Sequence, residues 1–412
     1  MSRFQPFRGV RYDPSRVDLA DVTVPPYDVI DAADRRALVA RHPASAILID
    51  LPLAPDASAD SATDASPDVY AIAADTLHQW LDDGVLRRDD APAFYGYRMS
   101  YTDEHGRRRH TTGVFGALAL SRPDEGFILP HEFTTPKAKS DRLHLTQATQ
   151  ANLSAVWGLT ASPGLTALLE NGSAPTSTWV DEADVEHQLW AITDVDQQAA
   201  ISAIADATPV VIADGHHRYE TTLTYRDEQR VAHQTDADGV TPGAESMLLY
   251  LVELAEEELS VLPIHRLIDG LPDDLDLVEA LRPFFDVTPA GPIGADISDR
   301  MAAAGALTLV LPDGAWFLQP RPEAMVGVRD LDTSRLDVAL AALPTHELRF
   351  QHGVNHVVDQ VAAGEAQAGV LLRPVTVAQI IGIAHGGERM PPKTTFFHPK
   401  PRTGVVFRLL DE

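Results

Sequence analysis

The chain has 412 residues, of which 44% are apolar and 23% charged, enough for two or three domains or one large elaborated one with a substantial core. Thirty-three basic residues stand against 60 acidic ones, a formal charge of −27, so the surface at large repels nucleic acid and anionic membranes and any phosphate-binding region is a local exception. With no cysteine there is no disulfide, thiolate nucleophile or cysteine metal site; with no signal-peptide core and no apolar run near the roughly 20 residues of a membrane span, a soluble cytoplasmic protein is expected.

Lysine is scarce. Only four of the 33 basic residues are lysine, at 137, 139, 393 and 400, and the other 29 are arginine. Acid excess with lysine depletion is the composition expected of a protein working in multimolar salt. All four lysines fall in two short segments, PKAK at 136–139 and KTTFFHPK at 393–400, which marks both as places that need a compact ammonium.

In chain order, residues 1–30 carry Phe4, Phe7, Arg8 and Arg11, then Pro25-Pro26, which holds the chain extended with Tyr27-Asp28 at its exit. A helix is expected over Ala32–Arg41, a strand over Ala46–Leu51, an acidic surface loop over 54–67 and a helix over Val69–Asp82 with Trp80 on its apolar side. Residues 93–120 read as a hairpin, FYGYRMSY and RRRHTTGVFGALAL around the turn TDEHG. The next segment, 129–154, carries His131, Glu132, Thr134, Lys137, Lys139, Asp141 and Arg142 within a dozen positions and without apolar periodicity. Pro136 defers its helix to a cap at Ser140 or Asp141, and the helix runs to about Asn152. It is no zinc-protease motif, because HExxH needs a second histidine where Thr135 stands.

Strands are expected over 155–160, 177–180 and 188–193, and a helix over 196–207 leads into PVVIADGHHRYETTLTY at 209–225. Pro209–Ala213 is a short β-branched run, Asp214-Gly215 breaks it, and from His216 the pattern turns helical, with Tyr219, Leu223 and Val231 near one face. Free N–H groups and a positive dipole end at such a turn make an anion site. Two readings stand: Asp214 caps a solvated first turn, or His216, His217 and Arg218 hold a phosphate. Cations in a first turn oppose the dipole, and three together favour the second.

Ser246–Glu253 is a strong apolar strand and LSVLPIHRLI (259–268) another. Residues 272–327 carry helices near 275–284 and 297–304 and a hairpin turning on Asp313-Gly314, a packing or dimer module with no visible chemistry. Helices over 332–342, 355–363 and 377–384 and a strand over 369–372 precede ERMPPKTTFFHPKPRTG. That loop lacks the Walker spacing, and Pro391-Pro392 cannot lead into a P-loop helix. Lys393, Thr394, Thr395, His398 and Lys400 sit on it beside Phe396 and Phe397, either as a cationic loop closing over phosphate or as a connection pinned to the core by its phenylalanines.

With PPYDVI (25–30), LPHEFT (129–134) and Asp141-Arg142, VIADGHHRYETTL (211–223), LPIHRLI (262–268), NHVVDQV (355–361) and GERMPPKTTFFHPKPRTGVVF (387–407), nearly the whole chain resembles domain-of-unknown-function family 1015. The strand-DGHHR-helix unit is also similar to the central motif of the ParB and sulfiredoxin superfamily, whose turn holds nucleotide phosphates. Its free-serine kinases combine a His-Glu pair with a later Asp-Gly-His turn. The resemblance implies a mixed α/β fold: a ParB/sulfiredoxin-like phosphate-binding core with added N- and C-terminal α/β elements. Carried over, Glu132 is the base with His131 beside it, Asp214 the second acid, and Gly215, His216, His217 and Arg218 the phosphate ligands. Some eighty residues separate pair and turn here, so an insertion is implied.

Lys137, Arg142, Lys393, Thr394 and Lys400 are the further cations and donors expected on the nucleotide. Mg²⁺ is expected on its phosphates, with Asp214 a candidate ligand. The expected regions are 1–120, a catalytic core at 121–270, an accessory piece at 271–330 and a C-terminal region at 331–412. The expected activity is an ATP- or ADP-dependent kinase acting on a small hydroxyl metabolite, free L-serine first. The alternatives are a CTPase-like nucleotide switch and a phosphohydrolase. The expected partners are substrate and nucleotide, with no membrane or nucleic acid, and a homodimer as the candidate assembly.

Overall fold

A computed structural model describes residues 2–52, 67–103, 106–130, 136–232, 242–255, 259–385, 390–391 and 393–411. The chain forms two compact units, Met1–Leu259 with Pro399–Glu412, and Ser260–His398. Of the four regions drawn from the sequence, 1–120 lies wholly in the first unit, 121–270 mostly so, and 271–330 wholly in the second. The last region is shared, since residues 399–412 return to the first unit.

The first unit is mixed α/β. Its main sheet runs Ile128–Pro130, Val210–Asp214, Val156–Thr160, Ser246–Glu253, Arg108–Ala119, Phe94–Thr102, Glu186–Ile192, Ser177–Val180, with Phe4–Gln5 also pairing along Arg108–Ala119. The expected hairpin is present, in register from Tyr95 opposite Phe115 to Thr102 opposite Arg108. Ser246–Glu253 lies inside the sheet and is buried at six consecutive positions, as an uninterrupted apolar run requires. Val210–Asp214 runs parallel to Ile128–Pro130, with Ile212 opposite Pro130, so the two strands leading to the two polar motifs point the same way and end side by side. The helices Pro136–Thr149 and His216–Ala232, which follow those motifs, pack against each other.

One core, including Phe4, Phe94, Trp190, Tyr219 and Leu249, fills one face of the sheet, and a second, including Tyr12, Ile47, Tyr70, Trp80 and Phe407, gathers the N-terminal helices. The helix Ala32–Arg41 has its expected bounds, set by an Asp31–Asp34 capping box. Three local expectations are corrected. ILID at 47–50 is a helical turn rather than a strand, with Ile47 and Ile49 buried in the second core and Leu48 packed against it. Pro136 opens its helix instead of deferring it, because a first-turn residue needs no N–H partner. Val231, placed on the apolar face, is 68% exposed, so the buried stripe ends earlier.

The second unit is an antiparallel six-stranded sheet, Phe285–Pro289, Gly314–Pro320, Leu307–Leu311, Ala368–Leu371, His265–Asp269, Glu347–Gln351. Residues 272–327 therefore supply half the strands of one sheet, completed by later segments. Ser260–Pro263 pairs separately with Thr395–His398. Among the described residues no helix is long and apolar enough to cross a membrane.

Candidate functional site

The strand Val210–Asp214 carries Asp214 at its C-terminal end, and the chain turns at Gly215, φ +90°, straight into the 17-residue helix from His216. A Cβ at 215 would lie 3.0 Å from Arg218 Nε and 3.3 Å from the Val156 Cα, so the turn needs glycine for both its dihedral and its space. One helical turn on, Arg218 reaches back, its Nη2 2.6 Å from Asp214 Oδ2. Its Nη1 donates to the Ala155 carbonyl. The first-turn arginine is thus neutralised by the aspartate preceding its own helix, which answers the dipole problem the sequence posed.

The other oxygen of Asp214 meets Lys400, Nζ to Oδ1 2.6 Å, and the same ammonium lies 3.0 Å from Asp28 Oδ2. Burial alone would raise the Asp214 carboxyl, but Lys400, Arg218 and, more weakly, His216 together hold it well below the usual carboxylate range. Burial would lower the Lys400 ammonium, yet Asp214 and Asp28 leave it raised. Lys400 is held in place by its flanks. Pro399 and Pro401 restrict the backbone, and Thr403 exchanges backbone hydrogen bonds of 2.8 and 3.0 Å with Val24. Arg402, 5% exposed, donates to Asp181, to both oxygens of Glu182 and to the Thr23 carbonyl. Asp181 lies 3.0 Å from His187 Nε2, whose Nδ1 is 2.7 Å from the buried Tyr97 hydroxyl. His187 and Arg402 outweigh the burial of Asp181 and bring it down to about 2.

Tyr27, half-buried, presents its ring to two guanidinium groups, Arg142 at 4.3 Å and Arg218 at 5.9 Å. Arg142, 6% exposed at its side chain, is bound by Asp141 through Nε and Nη2 at 2.8 and 2.7 Å, and its Nη1 donates to the Asp50 carbonyl, with Asp50 Oδ1 at 3.4 Å. Asp50 is 1% exposed, and burial pushes its carboxyl up against the pull of Arg142 and Arg218. Arg142, Arg218 and Asp50 also line a cavity of about 40 Å³. That space admits water or a carboxylate group and excludes a nucleotide.

The structure therefore brings together Asp214, Gly215, His216, Arg218 and Lys400, with Arg142 one ring away across Tyr27. His216 is buried and His217 half-buried on the same turn. Lys137 lies in the helix Pro136–Thr149. His131 and Glu132 lie outside the described residues. Lys393 and Thr394 belong to the second unit: Lys393 is exposed at φ +58°, with its carbonyl accepting from Arg266 at 3.1 Å, and Thr394 is buried and donates to the Pro391 carbonyl at 2.6 Å. Asp28 and Asp50 were not singled out as site residues. The signal for Asp50 was an acid closing the apolar run ILID, since a buried acid requires a cation. Among the described residues no group of three His, Cys, Asp or Glu side chains is placed to hold a metal.

Fold and site together define a mixed α/β protein built round a strand–glycine–helix turn whose aspartate is clamped by an arginine and a lysine from distant segments. A family model described as protein of unknown function (DUF1015) matches residues 4–339, and the chain belongs to that family. No curated protein matches it in sequence. Among solved structures it is similar to a conserved hypothetical protein from Pyrococcus furiosus, 13% identical, over 69% of this chain and 90% of that one, at a TM-score of 0.36. A free serine kinase in complex with AMP is likewise 13% identical over 69% and 86%, at 0.37, and SbnI with C-terminal truncation from Staphylococcus aureus is 10% identical over 70% and 85%, at 0.39. TM-scores this low carry no argument about chemistry.

Proposed function

We propose that the chain is a nucleotide- and Mg²⁺-dependent kinase that transfers a phosphoryl group to the hydroxyl of a small metabolite, free L-serine being the leading acceptor. The observation that carries this reading is Asp214, held ionised between Lys400 and Arg218 at the start of a helix. Fixed cations around an acid at a helix N-terminus suit the charge that gathers on a transferring phosphoryl group. The Gly215 turn, which leaves no room for a Cβ, fits the close approach of a phosphate to backbone N–H groups.

In this reading the nucleotide, ATP or ADP, supplies the phosphoryl group, and Mg²⁺ enters on its phosphates, since both oxygens of Asp214 already meet cations. The N–H groups after Gly215, with His216 and His217, bind phosphate oxygens. Lys400 neutralises their charge. Glu132 takes the acceptor's proton as its oxygen bonds to phosphorus and the bond to the departing nucleotide breaks. Arg142, already committed to Asp141 and Asp50, fixes Tyr27 and the helix behind the turn.

The test is incubation of purified protein with ATP or ADP, Mg²⁺ and L-serine. Phosphoserine is the expected product. Free phosphate without serine identifies a hydrolase, and nucleotide binding without turnover a switch. Glu132→Ala should lower phosphoserine formation at least about 100-fold, the span of general-base catalysis; unchanged formation would remove Glu132 from its role.

A further inference from the structure

Residues 399–402, which carry Lys400, belong to no helix or strand. A lysine stem is flexible, so its ammonium keeps one place only where the backbone beneath it is fixed. The residue that fixes it is Arg402. Its guanidinium partners, Asp181, Glu182 and the Thr23 carbonyl, all lie outside the glycine turn, so a ligand arriving at the turn competes for none of them.

Those partners are set by the main sheet. Asp181 follows the strand Ser177–Val180, and its Oδ1 accepts from the Ala183 and Val185 N–H groups at 2.9 and 3.0 Å, which leaves Oδ2 for Arg402 at 3.1 Å and His187 at 3.0 Å. His187 pairs with Trp179 across the ladder and stacks on its ring at 5.2 Å. A carboxylate only accepts, so His187 Nε2 carries the proton, and Nδ1 accepts from the Tyr97 hydroxyl at 2.7 Å. The Arg402 backbone N–H meets the same hydroxyl, so main chain and side chain of residue 402 close on one cluster. The charges close as well. Burial lowers His187, which favours its neutral form, and Arg402 and Arg41 stand against Asp181 and Glu182. With the side chains of Asp181, His187 and Arg402 each at most 5% exposed, water competes little for these bonds.

We propose that Arg402 is a positioning residue: anchored to Asp181, Glu182 and the Tyr97–His187 pair, it fixes the backbone from which Lys400 reaches Asp214, so that the ammonium stands at the phosphate site before a nucleotide arrives. The proposal rests on the kinase reading for the phosphate that Lys400 meets, while the placement of Lys400 is measurable with no nucleotide present.

The test exploits the scarcity of lysine. With only Lys137, Lys139, Lys393 and Lys400 in the chain, mass spectrometry reads the acylation rate of each amine under acetic anhydride. Lys400, 11% exposed and paired, should react slowly, and the exposed Lys393 of the second unit serves as the control. In Arg402→Ala, Lys400 should acylate about tenfold faster, the size of a coupling within one bonded network, while Lys393 keeps its rate. Guanidinium ion well below its denaturing range should return Lys400 to its slow rate by refilling the gap beside Asp181 and Glu182. ADP affinity, measured by calorimetry, should fall about tenfold in Arg402→Ala but stay unchanged when the same substitution is added to Lys400→Met. If Arg402→Ala does not fold, Glu182→Gln, at a side chain 40% exposed, should give the same pattern of acylation and affinity at about threefold. An unchanged Lys400 rate, or faster acylation in Arg402→Ala that guanidinium does not reverse, overturns the proposal and leaves the kinase standing. Equal loss of ADP affinity with and without Lys400 assigns Arg402 to the fold at large and overturns it too. If Lys400 responds as expected but wild type neither binds nucleotide nor makes phosphoserine, the kinase reading fails and the positioning stands.

Discussion

Lys400→Met removes the ammonium from between Asp28 and Asp214 and leaves Asp214, 18% exposed, with Arg218 and, more weakly, His216. Removing one partner of a buried pair costs about 3–5 kcal/mol. Because Arg218 remains, the lower end applies, about 3 kcal/mol, and the one-third exposed Asp28 adds about 1 kcal/mol at most. At about 2–4 °C per kcal/mol for a unit of this size, a loss of about 3–4 kcal/mol should make the first unit melt about 6–16 °C earlier. Tryptophan fluorescence reads it directly, because Trp80, Trp157, Trp179 and Trp190 lie in the first unit and Trp316 in the second.

The pH arm follows from the shifts. Asp214 is lowered from 3.8, so its contribution is present above that value and fades as pH falls through the folded pKa. Lys400 is raised from 10.5, so its share is complete below that value and lost as pH climbs through the folded pKa. The difference between wild type and Lys400→Met should therefore be widest between pH 3.8 and 10.5. In a cycle with Asp214→Asn the two losses should overlap by about 1–3 kcal/mol. Strictly additive losses, or an unchanged melting temperature, would refute the pairing.

Gly215→Ala places a Cβ against Arg218 and Val156 at φ +90°, so it should cost about 1–3 kcal/mol and abolish nucleotide binding, measured by melting and by calorimetry; a neutral variant would show that the turn is not under strain. His265, buried in the second unit, is lowered from 6.5 to about 4 by burial, then by His352 and Arg266, while its Nδ1 accepts from the Leu372 N–H. As it stays neutral in the fold, the second unit should lose about 3 kcal/mol as pH falls from 6.5 to 4, followed at Trp316. His265→Gln should flatten that slope, and a slope unchanged in the variant would assign it elsewhere.

Much of the local structure was legible because its signals are local. The Asp31–Asp34 capping box fixed one helix start, and the Gly305 C-cap at φ +61° fixed the end of Ile297–Ala304. The strand–glycine–helix turn was legible for the same reason. ILID was misread because a four-residue apolar run has no period of its own and takes its form from the core around it. What the residues could not convey was partnership. Lys400 stood out as a rare lysine, yet nothing in its segment says that its ammonium belongs to Asp214 while Lys393, seven positions earlier, belongs to the other unit. The arginine-on-tyrosine stack likewise joins residues 27, 142 and 218, a long-range fact of packing.

The route by which Lys400 reaches Asp214 has a consequence for biosynthesis. A ribosome makes the aspartate, then all of Ser260–His398, and only then the residue that completes the clamp. Through that interval the nascent protein has its glycine turn and Arg218 but lacks the second countercharge on Asp214, so assembly of the pocket waits until residues 399–403 thread back beside Thr23 and Val24. Competence then reports that the intervening unit has been fully translated.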